Sequence, residues 1–523
     1  MLLQCLALGY WQSHRGNFYI DELYCLGYAS SYTAESSFYI PDSEIWKYDA
    51  WMESDAITDL LKVDESESLN ALPLSERIGL LLHKRQYMGF LNLIMSHLGY
   101  DASFYEIARH VLIMNILFFL LAELLLAYIV RKLTGSDWIM LLSILMFGSC
   151  GLIMGMCEYI RFYMLAIALM LAVICCHLKL WNEENKIKCL GWEMAGFICA
   201  YFGLKHSEFF FVICGFFFSI FIIGLLCKRR WIPALLYVLP LMAGVYKLIY
   251  QKTNLFYIVT HLSEYAKQTH GLPLVSYKLT HITSQRVGET LQAIYGVITD
   301  KWFGSPVVMA GFIILLVAGL YCIRKADRTN ERTGKPEACS KGFMRILFAT
   351  TVLSITFNCL ADLRLDRYQS FNIVLMMILL WCCIGALKDS FGENRFLIAV
   401  ALITIAGALI SQQPGKMPFL YIEQYPQKEV FEEYEDRDNI LFKGTDRFAV
   451  YDTTAHLGRG TRMLALRPET PLDAVQDLQE EFLAWDVISD ESGKMQKELD
   501  NLGYGYEMIA STHISDVYLC TKK

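Results

Sequence analysis

Glu158 to Lys179 reads EYIRFYMLAIALMLAVICCHLK, with no Asp, Glu, Lys or Arg between Arg161 and Lys179. A helix needs about 20 apolar residues to cross a bilayer, and this run supplies them. It predicts a crossing near 159–180 with charges at both ends. Similar runs lie on either side, near 106–130, 137–157, 192–204, 207–227, 231–250, 305–323, 344–361, 368–387 and 396–411. The run Met1 to Trp11 is too short to span. It carries no basic leader and no small-residue cleavage site, so it reads as the outer end of a first helix, with the natural start expected upstream. The fold class is therefore an α-helical polytopic membrane protein with about eleven crossings.

Composition agrees. The 523 residues are 55% hydrophobic and only 19% charged, with a mean hydropathy of +0.34. The 14% aromatic content suits interfacial Tyr and Trp belts. A net charge of −7 gives no basic footprint, so no nucleic-acid partner is expected. Most of the 16 cysteines, Cys175, Cys176, Cys382 and Cys383 among them, sit inside apolar runs, where Cys acts as a small hydrophobe. No spacing suggests a zinc site or a disulfide framework. A divalent metal is neither specified nor excluded.

Basic residues set the expected sidedness. Arg131 and Lys132, then Lys179, Lys186 and Lys188, then Lys228 to Arg230, then the linker 324–343, then Lys388 and Arg395 occupy every second connection. These connections are expected in the cytoplasm. The N-terminus is then cytoplasmic. Residues 13–105, 158–161, 205–207, 251–304 and 361–368 and the tail lie outside. The expected division is a transmembrane region 1–411, with outer loops 13–105 and 251–304, and a small α/β domain 412–523. In the tail, Phe448 to Tyr451 and Met463 to Leu466 read as strands, Gly493 to Leu502 as a helix, and Tyr506 to Ser511 with Asp516 to Cys520 as a closing hairpin. Gly458-Arg459-Gly460 is too weak a pattern for a phosphate loop.

Five places on the expected outer side could carry chemistry. Asp21-Glu22 follows the first crossing; a carboxylate there could be a general base or a helix cap. His83-Lys84-Arg85 precedes an amphipathic stretch and could hold a phosphate or lipid headgroups. Glu158 and Arg161 are three residues apart, expected on one helical face; Arg161 suits either an ion pair with Glu158 or a phosphate. Lys205-His206 lies in a tight turn between crossings, where a satisfied turn histidine is the plainer reading. Arg364, Asp366, Arg367 and Tyr368 sit at a crossing's outer end. Glu123 lies within an apolar run, where an acid faces protein or a water cavity, and packing between helices accounts for it.

In order and spacing these segments resemble the GT-C membrane glycosyltransferases. They are most similar to bacterial relatives of the dolichyl-phosphate-mannose protein mannosyltransferases (glycosyltransferase family 39) and to the aminoarabinose lipid A transferase. Asp21-Glu22 matches the acidic pair of the first outer loop. LHKRQYMGFLNLIMSHLGYDASFYEIARH, from Leu82 to His110, resembles a segment that usually reads His-Pro-Pro-Leu-Tyr and ends in an arginine, here Arg109. EYIRFYMLAIALMLA resembles the Arg-x-Tyr helix, with Arg161 and Tyr163. GLKHSEFFFV resembles the His-bearing turn, with His206, and DRYQSFNIVLMMILL the late Arg-Tyr crossing, with Arg367 and Tyr368. The match covers roughly 15–390. The two prolines are replaced by Lys84 and Arg85, which leaves the donor sugar open.

The resemblance implies transfer of a sugar from a polyprenyl-phosphate carrier to a hydroxyl of a protein, lipid or wall polymer at the cell envelope, with inversion. Asp21 would be the base, beside Glu22. His83, Lys84, Arg85, Arg161, Tyr163, Lys205, His206, Arg367 and Tyr368 would bind the donor's phosphate and sugar. The rival class is a non-enzymatic transporter or flippase, which predicts internal repeats and charges at mid-membrane; no repeat is visible, and only Glu123 lies deep. Another lipid-linked transferase, an oligosaccharide ligase or a phosphoethanolamine-type enzyme, is a second rival; the latter usually carries a large soluble domain with metal ligands, for which the tail is too small. An inactive relative is the third.

Overall fold

The chain is described from a computed structural model covering residues 1–33, 47–238, 242, 282–329, 338–391, 393–413, 431, 433–434, 437–442, 450, 453–487, 494–511 and 515–523. Two compact units emerge. The first comprises Met1–Cys5, Asn115–Cys157 and Phe162–Pro418; the second comprises Leu6–Met114, Glu158–Arg161 and Phe419–Lys523.

The first unit is helical. Among the described residues, six helices are long and apolar enough to cross a membrane: Phe104–Thr134, Tyr163–Asn182, Lys186–His206, Phe209–Cys227, Gly342–Leu360 and Asp366–Lys388. Two bent pairs raise the number to eight. Phe396–Ser411 is a shorter apolar helix, and the helix Leu2–Ser13 begins in this unit and continues in the second. Most of the crossing expected at 231–250 and part of the linker 324–343 lie outside the described residues. The crossing expected at 192–204 is a longer helix, Lys186–His206. Its start is set by Asn185, whose side chain accepts from the Ile187 and Lys188 amides. Lys186, Lys188 and Glu193 lower the local hydropathy and hide this beginning in the sequence. The expected loop 251–304 contains a helix, Ser284–Gly296, which continues as a π turn over Val297–Trp302.

Backbone breaks at membrane depth leave polar groups that must be met inside the protein. Asp137–Ser149 and Gly151–Glu158 meet at a 57° bend. The freed Ser149 carbonyl accepts from Ser411 Oγ at 2.5 Å and Gln412 Nε2 at 3.0 Å. At the far end of the pair, Asn115 Nδ2 donates to the Cys157 carbonyl at 2.8 Å. The second pair, Ser284–Trp302 and Pro306–Val317, turns through 95°. Gly304 makes that corner with φ +75°, and a Cβ on it would lie 2.9 Å from both Gly407 O and Ser411 N.

The second unit holds a six-stranded sheet in the order β1-β3-β2-β4-β6-β5. Its strands are β1 (Trp51–Glu53), β2 (Asp438–Phe442), β3 (Arg462–Leu466), β4 (Glu481–Val487), β5 (Tyr504–Ser511) and β6 (Ser515–Lys522). β2 runs parallel to β3 and β4; the remaining pairs are antiparallel. The helix Lys494–Asn501 covers one face, packing Met495 and Leu499 on Ile440, Phe442, Leu464 and Phe482. The closing hairpin and this helix agree with the sequence pattern. The strand expected at 448–451 lies mostly outside the described residues, and its one described member, Val450, is helical. β2 and β4, which the sequence reading passed over, are buried on both faces and so lack polar alternation. β1 comes from the first polar loop, far along the chain from its partner β3: Trp51 opposes Leu464, and Glu53 opposes Arg462.

Gly304→Ala is expected to cost roughly 1–3 kcal/mol, because it adds left-handed strain to a backbone clash. Gly215→Ala, at a helical glycine with nothing within 4 Å of its Cβ position, should leave stability level or slightly raised. Thermal unfolding of the two purified variants in one detergent checks the contrast; equal melting temperatures would sink it.

Candidate functional site

In the second unit the site grows from the entry to the helix Ile20–Ser30. Glu22 occupies the third helical position and is fully buried. Its Oε2 accepts from the Tyr19 amide at 2.7 Å and from Arg15, which is also buried. Its Oε1 accepts from the Ile160 amide at 2.8 Å. Arg15 also donates to the Asn17 carbonyl at 3.0 Å and the Glu158 carbonyl at 3.2 Å. Glu22, expected beside Asp21 as a reacting acid, thus has both carboxylate oxygens engaged within the fold. This frame fixes the start of the helix against the turn 159–161.

Asp21 is the neighbour that keeps access, with its side chain 23% exposed. The Arg161 guanidinium lies 3.4 Å from its carboxylate and donates to its backbone carbonyl at 2.9 Å. Arg161 also points a nitrogen at Cys25 Sγ, 3.6 Å away. Burial pushes the Cys25 thiol up; Arg161 and Arg85 act against that shift, and Asp21 adds to it. Arg161 and Asp21 therefore meet on one turn of helix. The expected Glu158–Arg161 helical face does not exist. The helix Gly151–Glu158 stops, and the next begins at Tyr163, so the two residues flank a break.

His83, Lys84 and Arg85 fall between the helices Leu74–His83 and Gln86–Leu98. His83 and Arg85 are exposed. Lys84 donates to the Tyr32 carbonyl at 2.5 Å, tying the end of the Ile20–Ser30 helix to this junction. Tyr32 itself is buried, and desolvation raises its pKa. Behind them Asn92 binds the Leu69 amide at 2.9 Å and the Ala29 carbonyl at 2.9 Å. Arg15, Asn17, Tyr105 and His456 join this unit's hydrogen-bonding without any signal in the sequence reading.

In the first unit the remaining candidates lie at helix ends. Tyr163 is buried at the first position of its helix, its ring 4.9 Å from Phe162. Phe162 in turn stacks on His206 at 5.8 Å. His206 is the last helical residue, and Ser207 alone separates it from the next helix, capping that helix through the Phe210 amide; the expected turn is thus shorter still. Lys205 lies over the Tyr201 ring at 4.5 Å. Arg367 lies 5.4 Å from the Tyr368 ring, which reaches Phe209 at 6.4 Å. Arg364 is bound to Asp362 at 2.5 Å and to Glu289 at 2.6 Å, which fastens the Ser284–Gly296 helix to this corner. Among the described residues, no group of three or more His, Cys, Asp or Glu side chains is placed to hold a metal ion.

The fold is GT-C-like by its likeness to a solved structure over nearly the whole chain. The solved structure of ArnT from Cupriavidus metallidurans bound to undecaprenyl phosphate superposes with a TM-score of 0.54 at 11% identity, over 99% of this chain and 96% of that one. The apo form of the same protein gives 0.34 at 10% identity, over 83% and 86%. No family model matches the chain, and no curated protein matches it in sequence.

Glu22→Ala strips a buried guanidinium of its partner and is expected to cost about 3–5 kcal/mol. Asp21→Asn, at a partly exposed site, should change stability by less than about 1 kcal/mol. Melting temperatures of the two variants check this; a wild-type melting temperature for Glu22→Ala would refute the framing role.

Proposed function

We propose that this protein is a membrane glycosyltransferase that moves a sugar from a polyprenyl-phosphate carrier to a hydroxyl acceptor. The single observation that carries the reading is the pairing of a partly exposed Asp21 with Arg161 on a buried, hydrogen-bonded frame. The fold adds support, since the ArnT it resembles is described as bound to undecaprenyl phosphate. The acceptor is a protein, a lipid or a wall polymer. The alternating basic connections favour a cytoplasmic N-terminus, with the tail 412–523 and the site on the outer side of the membrane region 1–411.

The chemistry follows from the charges. Asp21 accepts the proton of the acceptor hydroxyl, whose oxygen bonds to the anomeric carbon as the bond from that carbon to the phosphate oxygen breaks. The configuration inverts. The departing polyprenyl phosphate needs no proton, but its growing negative charge needs fixed cations. Arg161 supplies one beside Asp21, and Arg85, Lys84 and His83, at the junction of the helices Leu74–His83 and Gln86–Leu98, are assigned to the same charge. Tyr163, Lys205, His206, Arg367 and Tyr368 are assigned to the donor's phosphate and sugar. Glu22 acts by holding Asp21.

Asp21→Asn should lower transfer by roughly 10²–10⁴, and Arg161→Ala by about 10²–10³. Surface glycans and lipid-linked sugars are compared in a deletion strain carrying wild type or either variant. Wild-type glycans from Asp21→Asn would remove it as the base. A deletion that alters no glycan and no lipid-linked sugar would remove the transferase reading.

A further inference from the structure

We infer that His456, from the tail, is a positioning residue for the carboxylate of Asp21; the inference rests on the transferase reading above. His456 Nε2 lies 2.7 Å from Asn17 Oδ1. That oxygen already accepts the Phe18 amide at 2.7 Å, so it is an acceptor and the imidazole must donate to it. The other ring nitrogen lies 3.3 Å from the Tyr105 hydroxyl, which donates to the Gly16 carbonyl at 2.9 Å.

The stretch 15–18 is therefore held at successive residues. Arg15 takes the Asn17 carbonyl, Tyr105 takes Gly16, and His456 takes the Asn17 side chain. Phe18 is fully buried between the Tyr105 ring at 4.7 Å and the Arg15 guanidinium at 4.7 Å. Tyr19 follows as the helix cap, and Asp21 is two residues further on. Residues 15–19 are not helical; the Arg15–Glu22 frame caps the helix start, and the tail adds a second constraint, on the strap that leads into it. His456 is itself seated against the Phe431 ring at 5.2 Å, which packs at 5.2 Å on Trp485 of β4, a fully buried side chain. A rigid path thus runs from the sheet through one imidazole to the helix that carries Asp21.

The geometry names the variants. In Gln the amide nitrogen stands where the His Nε2 stands, so His456→Gln keeps the bond to Asn17. In Asn the amide nitrogen stands near the His Nδ1 position and falls short of it. The full chain in nanodiscs is assayed with polyprenyl-phosphate sugars extracted from host membranes as donor. Amide deuterium exchange over residues 16–22 is followed in parallel. His456→Ala and His456→Asn should lower kcat on the order of tenfold to a hundredfold, the loss expected from misplacing a reacting group. Their half-saturating donor concentration should stay within about twofold, because donor contacts are untouched. Exchange over 16–22 should quicken in both. His456→Gln should match wild type in all three measurements. Asn17→Ala and His456→Ala together should lose less than the sum of their separate losses, since they share one bond while Asn17→Ala also frees the Phe18 amide.

If His456→Ala does not fold, the contrast of Asn with Gln decides. An unchanged kcat in His456→Asn, or a kcat in His456→Gln as low as in His456→Asn, overturns the positioning role. A rise in half-saturation with kcat unchanged overturns it too, by making His456 a donor contact. Wild type that turns over no donor overturns the transferase reading and this inference together.

Discussion

The second unit depends on one buried ion pair. Arg15 and Glu22 are both withdrawn from water, where each ion alone would carry several kcal/mol of desolvation cost. The pair is tolerable because the remaining valences are met. Glu22 takes two backbone amides and Arg15 takes two backbone carbonyls. Those four backbone groups lie at three points of the chain: Tyr19 at the entry to the Ile20–Ser30 helix, Asn17 in the strap before it, and Glu158 and Ile160 at the break. Satisfying one charge pair therefore fixes three segments, and the residues next to them, Asp21 and Arg161, meet as a consequence.

The first unit obeys a different rule. Apolar surroundings give a broken helix no water to bond, so every break needs a protein donor or acceptor. Ser149 is met by Ser411 and Gln412, and Cys157 by Asn115. The corner at Gly304 works because no side chain stands between it and Gly407. The same economy explains why candidate residues cluster at helix ends. Tyr163, His206 and Arg367 lie where helices begin or finish, where polar groups are needed anyway.

Much of this was legible in order along the chain. Apolar runs of crossing length marked the helices at 104–134, 163–182, 209–227, 342–360 and 366–388, because burial in lipid demands composition before anything else. The hairpin of β5 and β6 was legible because two β-prone runs lie only a few residues apart in the sequence. Less legible was whatever depends on partners far away. β2 and β4 are buried on both faces and show no alternation. β1 is three residues of a polar loop that become a strand only beside β3. Among the candidate residues, Asp21 and Arg161 stood out as charges at helix ends, and the structure joins them. Glu158 and Arg161 seemed to share a helical face, and a break separates them. Arg15 and His456 gave no signal, since Arg15 lies in the non-helical strap before the helix that carries Glu22 and His456 binds a residue 439 positions away.

The sequence by itself determined that this is a many-helix membrane chain with a small sheet at its end, since hydropathy and strand pattern are local properties of the chain. It also determined which charges had to be explained, because ions near apolar runs are costly wherever they fold. Only the tertiary structure decided which of two adjacent carboxylates is spent on the frame and which stays open. Glu22 and Asp21 are one residue apart and chemically alike. Their difference comes from direction: the third helical position turns back to the Tyr19 amide and into the Arg15 pocket, and the second faces Arg161.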